Sequence, residues 1–339
     1  MKNPCDLPGP IEGSEPQPAL DARDSVLECG GPPPLLKRKS ARGFRTCLVA
    51  VLILSLLGGI VFAQRMRGGR GRGGGGNSTE GGYYVDVNRV KTAREVASHS
   101  TDTPNWTNNP AFARDTFTFV RLVYGQKNSG RRSGGNWITD FPDSDLNLSF
   151  RLQQMTSIKV DPNGRIMRIN DPDLFNYPWV YMVEPGNLEF TEEEVPLLRK
   201  YLLSGGFLMA DDFWGEMQWF NFQEEMKRVF PDRQFIDLPM EHPIFHCVFD
   251  LKGKKNSLQI PAKAWAMRVQ FGAPTWEYHD DEECSEVHVR AMQDEKGRIM
   301  VVAFHNTDNG DGWEREGEDD FFFHRFSENI AFPLGINVI

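Results

Sequence analysis

Cysteine is scarce in this chain: five residues in 339, at Cys5, Cys29, Cys47, Cys247 and Cys284, with no pair at the C-x-x-C spacing. A zinc ribbon or a thioredoxin-type redox pair needs that spacing, so both are excluded. An exported protein can join Cys247 to Cys284, and two buried free thiols fit the sequence equally well. Basic charge is short where it would count for nucleic acid. Residues 115–339 carry 23 Lys and Arg against 37 Asp and Glu, whereas phosphate-backbone binding needs a basic surface, so nucleic acid is not expected as a partner. Apolar residues are too few in the Pro-rich beginning to bury a core, and 1–45 reads as a disordered polar tail. Nor is there an internal repeat, which removes solenoids and propellers.

What the chain does have begins at Thr46. Residues Thr46 to Ala63, TCLVAVLILSLLGGIVFA, form an eighteen-residue run without charge, preceded by Lys37, Arg38, Lys39, Arg42 and Arg45. That length is near the lower limit for crossing a bilayer and beyond the usual core of a signal peptide. The segment 46–64 is therefore expected to anchor the chain in a membrane as a single pass, with everything after it outside the cytoplasm. The alternative is a signal segment cut between Ala63 and Gln64, which would leave a secreted or periplasmic protein. Arg65, Arg67, Arg70 and Arg72 follow the run, so the positive-inside bias is slight. Residues 65–114, opening with RMRGGRGRGGGG, read as a Gly/Arg-rich linker. Such tracts can bind single-stranded nucleic acid, but beside a membrane segment a tether with arginines near anionic headgroups is the simpler reading.

From Asp115 the pattern is that of one folded domain, 115–339, large enough to bury a core without disulfides. Phe117–Tyr124 alternates as a strand, and a helix follows Asp140–Asp145 with Leu148, Leu152 and Met155 facing the core. Tyr177–Val183 is a continuous apolar run, as in a strand buried on both faces. Thr191 and Glu194 have capping-box spacing ahead of a helix carrying Val195, Leu198 and Leu202, and Gly205-Gly206 stops it before a strand at Phe207–Ala210. Phe220–Val229 reads as an amphipathic helix, Gln234–Leu238 and Arg298–Phe304 as strands, and Asp319–Ala331 as a last helix. Alternating strands and helices define an α/β fold with a mainly parallel sheet and helices on both faces.

Several strings carry a family resemblance: FVRLVYG at 119–125, YPWVYMVEPG at 177–186, LLRKYLLSGGFLMADDFWG at 197–215, HPIF at 242–245 and the terminal LGINVI. In this order they resemble the bacterial domain of unknown function 4159. The resemblance implies a flavodoxin-like fold similar to the class I glutamine amidotransferases, on exported or membrane-attached proteins, and admits protein partners in a membrane-associated assembly. It implies no particular reaction. The turn after Ala210 holds Asp211-Asp212-Phe213 in place of a Gly-x-Cys-x-Gly elbow, and no G-x-S-x-G replaces it, so amidotransferase-type thiol chemistry is not expected.

In a doubly wound sheet ligands bind beyond the C-terminal ends of the strands. Those ends carry Glu184, then Asp211 and Asp212, then His305, Asn306 and Asp308, with Asp140 from the loop before the first helix. Converging carboxylates can hold a divalent cation or act as an acid/base pair, and Asp211, Asp212 and Asp308 are the candidate metal ligands. The structural alternative is that an aspartate caps the next helix and the rest are turn residues. His242 and His246 have the spacing of helical zinc ligands, but Pro243 between them points to a turn. Asn306–Glu314 looks superficially like a calcium loop, yet Gly310 and Gly312 stand where that motif needs oxygen ligands. The expected function is a non-catalytic ligand- or protein-binding module. The alternative is a metal-dependent or acid/base hydrolase working with the strand-end carboxylates.

Overall fold

The computed structural model of the chain describes residues 85–112, 115–127, 137–277 and 282–339. The polar tail, the segment Thr46–Ala63 and the Gly-rich start of the linker lie outside the described residues, as does the loop at 128–136. No helix among the described residues is long and apolar enough to cross a membrane.

In chain order the strands are β1 (Val120–Val123), β2 (Gly125–Gln126), β3 (Arg165–Arg168), β4 (Trp179–Val183), β5 (Leu188–Glu189), β6 (Phe207–Phe213), β7 (Ile236–Asp237), β8 (His288–Gln293) and β9 (Ile299–His305). The α-helices are α1 (Asp143–Met155), α2 (Glu194–Leu203), α3 (Gly215–Val229), α4 (Lys263–Val269), α5 (Asn309–Glu314) and α6 (Asp320–Phe322). The last of these continues through a π-helical stretch, Phe323–Ala331, into α7 (Phe332–Val338). Seven strands form one sheet in the order β3-β1-β4-β6-β9-β8-β7, and β2 pairs separately with β5. The first five run parallel, while β8 and β7 are antiparallel additions at one edge. Counting only the parallel strands in sequence gives 2-1-3-4-5, the flavodoxin-like order, with its switch point between β1 and β4.

Period-two alternation distributes the strand side chains between two cores. Val180 and Met182, Leu208 and Ala210, and Val301 and Ala303 face a layer containing Leu198 and Leu202 of α2 and Phe222 and Met226 of α3. Tyr181 and Val183, Met209, and Val302 and Phe304 face the other layer, where Leu148 and Leu152 of α1 meet Leu334 and Ile336 of α7. All five residues of β4 are buried, as its unbroken apolar run requires. The capping box forms as its spacing implies: Glu194 N donates to Thr191 Oγ1, and Thr191 N donates to the Glu194 carboxylate.

Several expectations need correction. Met155 is 46% exposed and lies outside the stripe made by Leu148 and Leu152. The strand beginning at Phe207 does not stop at Ala210 but runs on through Asp211 and Asp212 to Phe213. The last helical stretch does not stop at Ala331 but runs on to Val338, since Pro333 falls in the first turn of α7, where Pro is tolerated, and Phe332 N bonds back to Ser327 O. The stretch 85–112, assigned to the linker, packs on the domain: Ala93 is in the core and Val87, Val90 and Val96 lie against it. Asp143 of α1 accepts hydrogen bonds from the backbone N of His99 and Ser100. No disulfide joins Cys247 to Cys284, and the first is exposed and the second buried.

Candidate functional site

The C-terminal edge of the parallel strands is where the backbone departs most from ordinary geometry. Five non-glycine residues among those described have positive φ, and four of them are Asp140 (61°), Glu184 (47°), Asp212 (55°) and Asn306 (63°). Each such residue costs on the order of 1 kcal/mol or more, so their concentration along one edge marks a place where aiming side chains outweighs local relaxation.

The strand β6 separates its two aspartates. Ala210 pairs with Ala303 of β9 but Phe213 pairs with His305, so β6 carries one extra residue, a bulge at Asp211-Asp212. Asp211 keeps the strand pairing with Val183, and its carboxylate is consumed by structure. It accepts from Tyr181 Oη (3.0 Å), from the backbone N of Asn309 (2.9 Å) and Gly310 (3.0 Å), and from Asn309 Nδ2 (2.7 Å). Asp211 thus fixes the start of α5 and does not line the cleft. The helix-capping alternative holds for it, though the helix is α5 and not the one that follows in sequence. Asp212, turned by its left-handed backbone, lines the cleft, and Trp214 Nε1 donates to its Oδ1 (2.8 Å).

His305 and Asn306 also serve structure. His305 is fully buried: Arg290 Nη1 donates to its Nδ1 (3.0 Å) and its Nε2 donates to Gly215 O (3.0 Å). Burial and the Arg290 charge hold it neutral, with its pKa down to about 3. Asn306 accepts from Gly215 N and donates to Glu286 O, tying the end of β9 to the start of α3. Neither residue lines the cleft. In the HPIFH turn, His242 Nδ1 accepts from Ile244 N, and His246 pairs with Asp250, as a structural turn would have it.

Asp140, Asp212 and Asp308 do converge. One carboxylate oxygen from each lies within 4.8 Å of the others, and all three residues are buried. Asp308 spends Oδ1 on the N–H of Asp311, capping α5 (2.7 Å). Asp140 is 8% exposed, and its Oδ2 has no hydrogen-bond partner although it is inaccessible to solvent. The absence of a side chain at Gly310 makes room for it, since a Cβ there would lie 2.1 Å from that oxygen. A second group, Asp140, Asp311 and Glu314, meets the same distance limit and shares Asp140. Asp311 and Glu314, with the neighbouring Arg315, were not among the candidates from sequence. The three-residue steps from 308 to 311 to 314 are the signal that could have found them, because residues three apart are neighbours on a helical turn.

The carboxylates open into a cleft of about 450 Å³ lined also by Glu184, Trp214, Gln218, Lys263, Met267 and Arg315. Seven acidic and two basic residues line it, so any cation that enters is favoured. Burial, and then the charges of Glu314 and Asp311, push the Asp140 carboxyl well above the ordinary range. Burial, followed by Glu184 for Asp212 and by Asp212 for Asp308, does the same to the other two. Burial pushes Asp211 up to about 7 and Glu314 up to about 8.

These shifts fix the sign of a pH dependence. A carboxyl with a raised folded pKa contributes stability at low pH that is lost as pH rises through that value, because the folded state holds the proton longer. His305, lowered from 6.5, works in the opposite sense, its contribution being lost as pH falls below 6.5. The two effects oppose one another below 6.5; above it the carboxylates act together with His246, whose pKa is raised by its hydrogen bonds to Asp250 and to Met240 O and whose contribution is lost in the same sense as pH rises. The unfolding free energy of the metal-free protein is therefore expected to fall between pH 6.5 and about 8, the upper value set by Glu314. Urea melts in the presence of chelator measure it, and a flat or rising profile over that interval would contradict the burial of these carboxyls.

Fold and site together define a doubly wound, flavodoxin-like α/β domain with an acidic cleft at the carboxyl edge of its sheet. Residues 118–339 match the family Domain of unknown function (DUF4159), and the chain belongs to that family. Comparison with curated proteins finds no match.

Proposed function

We propose that this domain is a divalent-cation-binding module, in which Asp140, Asp212 and Asp308 hold the ion and the cleft presents it to a ligand bearing oxygen donors. The observation that carries this reading is the buried, unpartnered Asp140 Oδ2 beside two further buried carboxylates. A buried carboxylate without a partner is costly, and a cation bound among the three carboxylates would offset that cost. An all-oxygen donor set suits hard ions such as Ca²⁺, Mg²⁺ or Mn²⁺ over Zn²⁺ or Cu²⁺. The fold, similar on the family resemblance to that of the class I glutamine amidotransferases, has no cysteine at the elbow, which supports binding over thiol chemistry. The uncharged run Thr46–Ala63 and its basic leader support placing the module at a membrane, outside the cytoplasm. N-terminal sequencing of the mature protein tests the attachment: a start at Gln64 would replace the anchor with a cleaved signal.

Calorimetric titration of the full chain with Ca²⁺, Mg²⁺ and Mn²⁺ tests the central claim. Saturable binding of one ion per chain is expected, weakened on the order of 100-fold or more by Asp212→Asn or Asp308→Asn. No binding at millimolar ion would sink the reading.

The second reading, a metal-dependent hydrolase, is favoured by the open side of the carboxylate group. A bound ion would face a cleft with room for substrate, where it could polarise an acceptor oxygen or lower the pKa of water. Cation-dependent turnover of model esters, phosphoesters or glycosides, lost in Asp212→Asn, would favour it over the binding module.

A further inference from the structure

Two sets of carboxylate oxygens meet at Asp140: Asp212 and Asp308 complete one, Asp311 and Glu314 the other. A shared carboxylate between two acidic sets is the arrangement of a two-ion centre, in which the ions sit roughly 3.5–4 Å apart. The two sets nevertheless differ in one respect. Among the described residues no ion pair reaches Asp140, Asp212 or Asp308, whereas Arg315 Nε lies 3.0 Å from Asp311 Oδ1 and 2.9 Å from Glu314 Oε2. The contact with Glu314 is short but outside hydrogen-bond geometry, so Glu314 Oε2 is held by charge alone.

We propose that Arg315 is the resident cation of the second set, occupying the position a second metal ion would take, so that the centre binds one divalent ion where its carboxylates could hold two. A guanidinium is always charged and cannot exchange with solvent ions, so it fills the set permanently. It is placed there by sequence: Arg315 directly follows α5, whose turns bring Asp311 and Glu314 to the same side. The single-ion stoichiometry rests on the reading of the first set as an ion site, while the role of Arg315 does not.

Metal analysis and Mn²⁺ electron paramagnetic resonance on the full chain test this. Arg315→Met, which keeps an apolar stem and removes the charge, is expected to raise the stoichiometry from one ion to two and to give the exchange-coupled spectrum of paired Mn²⁺ ions. Arg315→Lys, which restores a fixed charge, is expected to return it to one. A folded Arg315→Met that binds no more metal than the parent overturns the proposal. Should that variant fold poorly without metal, its melting temperature must rise more than the parent's on adding millimolar Mn²⁺, and an equal rise also overturns it. In the double variant Arg315→Met, Asp212→Asn the first set is disabled and one ion is still expected, held by the second. A parent that binds no ion beside a double variant that binds one would remove the proposed function and leave this inference standing. A parent that binds one beside a double variant that binds none would do the reverse.

Discussion

Asp140→Asn is expected to abolish measurable cation binding while leaving the metal-free protein at least as stable as the parent. The two effects have one cause. Asp140 brings a buried carboxylate whose Oδ2 has no partner, and burial, then the surrounding carboxylates, push its pKa well up. An amide of the same size removes the charge and supplies N–H donors to the neighbouring carboxylates. Asparagine also tolerates the left-handed backbone at φ 61° as well as aspartate does, so the substitution brings no new backbone strain. The loss of affinity should be on the order of 100-fold or more, since a ligand matters at least as much as an outer-shell partner. Relief of the buried charge by about 1 kcal/mol would raise the melting temperature by roughly 2–4 °C in a domain of this size. Calorimetry and thermal melts on the same preparation read both quantities. Unchanged affinity, or a marked loss of stability, would show that Asp140 is a structural residue.

Asp145→Ala is expected to be the most destabilising single change near the site. Arg121 is fully buried in β1, and its guanidinium is shared among Asp145, Ser144 Oγ and the backbone oxygens of Trp137 and Thr139. Burial pushes the Asp145 carboxyl up even against the Arg121 charge, a sign that desolvation rivals the attraction within the pair. Removing one partner leaves the other charged and buried, at a cost of about 3–5 kcal/mol. Replacing both by apolar residues, Arg121→Met with Asp145→Leu, should cost less than Asp145→Ala alone. Trp137 and Thr139 lead directly into Asp140, so the single substitution should also weaken cation binding by releasing that loop. Urea unfolding of the single and double variants decides the matter: if the double variant is the less stable, the pair contributes net stability.

Much of the frame was legible because its signals are local. The apolar run at Tyr177–Val183, the capping box at Thr191 and Glu194, the glycine stop and the strand at Arg298–Phe304 each report a backbone state through neighbours in sequence. What escaped has non-local causes. The helix α5 contains Gly310 and Gly312, each of which disfavours a helix by about 1 kcal/mol relative to Ala, and the glycines counted against that segment as a ligand loop. In the fold they are packing positions: a Cβ on Gly312 would meet Ala331 at 2.5 Å, and one on Gly310 would meet Asp140. Asp211 and Asp308 then hold the helix start through its N–H groups. Of the two strands added antiparallel near the sheet edge, β7 falls within Gln234–Leu238, which reads as a strand in the sequence, whereas β8 does not, its burial being partial and its hydrophobic pattern correspondingly weak. Similarly, 85–112 looked like linker because only a few of its residues, Ala93 among them, are committed to the core.

The same division runs through the site and through what is missing from the chain. Sequence alone determined the absence of paired cysteines and of a thiol elbow, the acidic balance of the domain, and the arrival of Asp140, Glu184, Asp212 and Asp308 at one edge, since a parallel sheet places every strand end on the same side. Tertiary structure decided which oxygens are available. Asp211 and Asp212 are neighbours of identical chemistry, yet a one-residue bulge and a left-handed turn send one into the hydrogen bonds of α5 and the other into the cleft. The direction of a carboxylate depends on partners nearly a hundred residues away, at Asn309 and Gly310. Residue type records what a group can do, and only packing records what its neighbours have already asked of it.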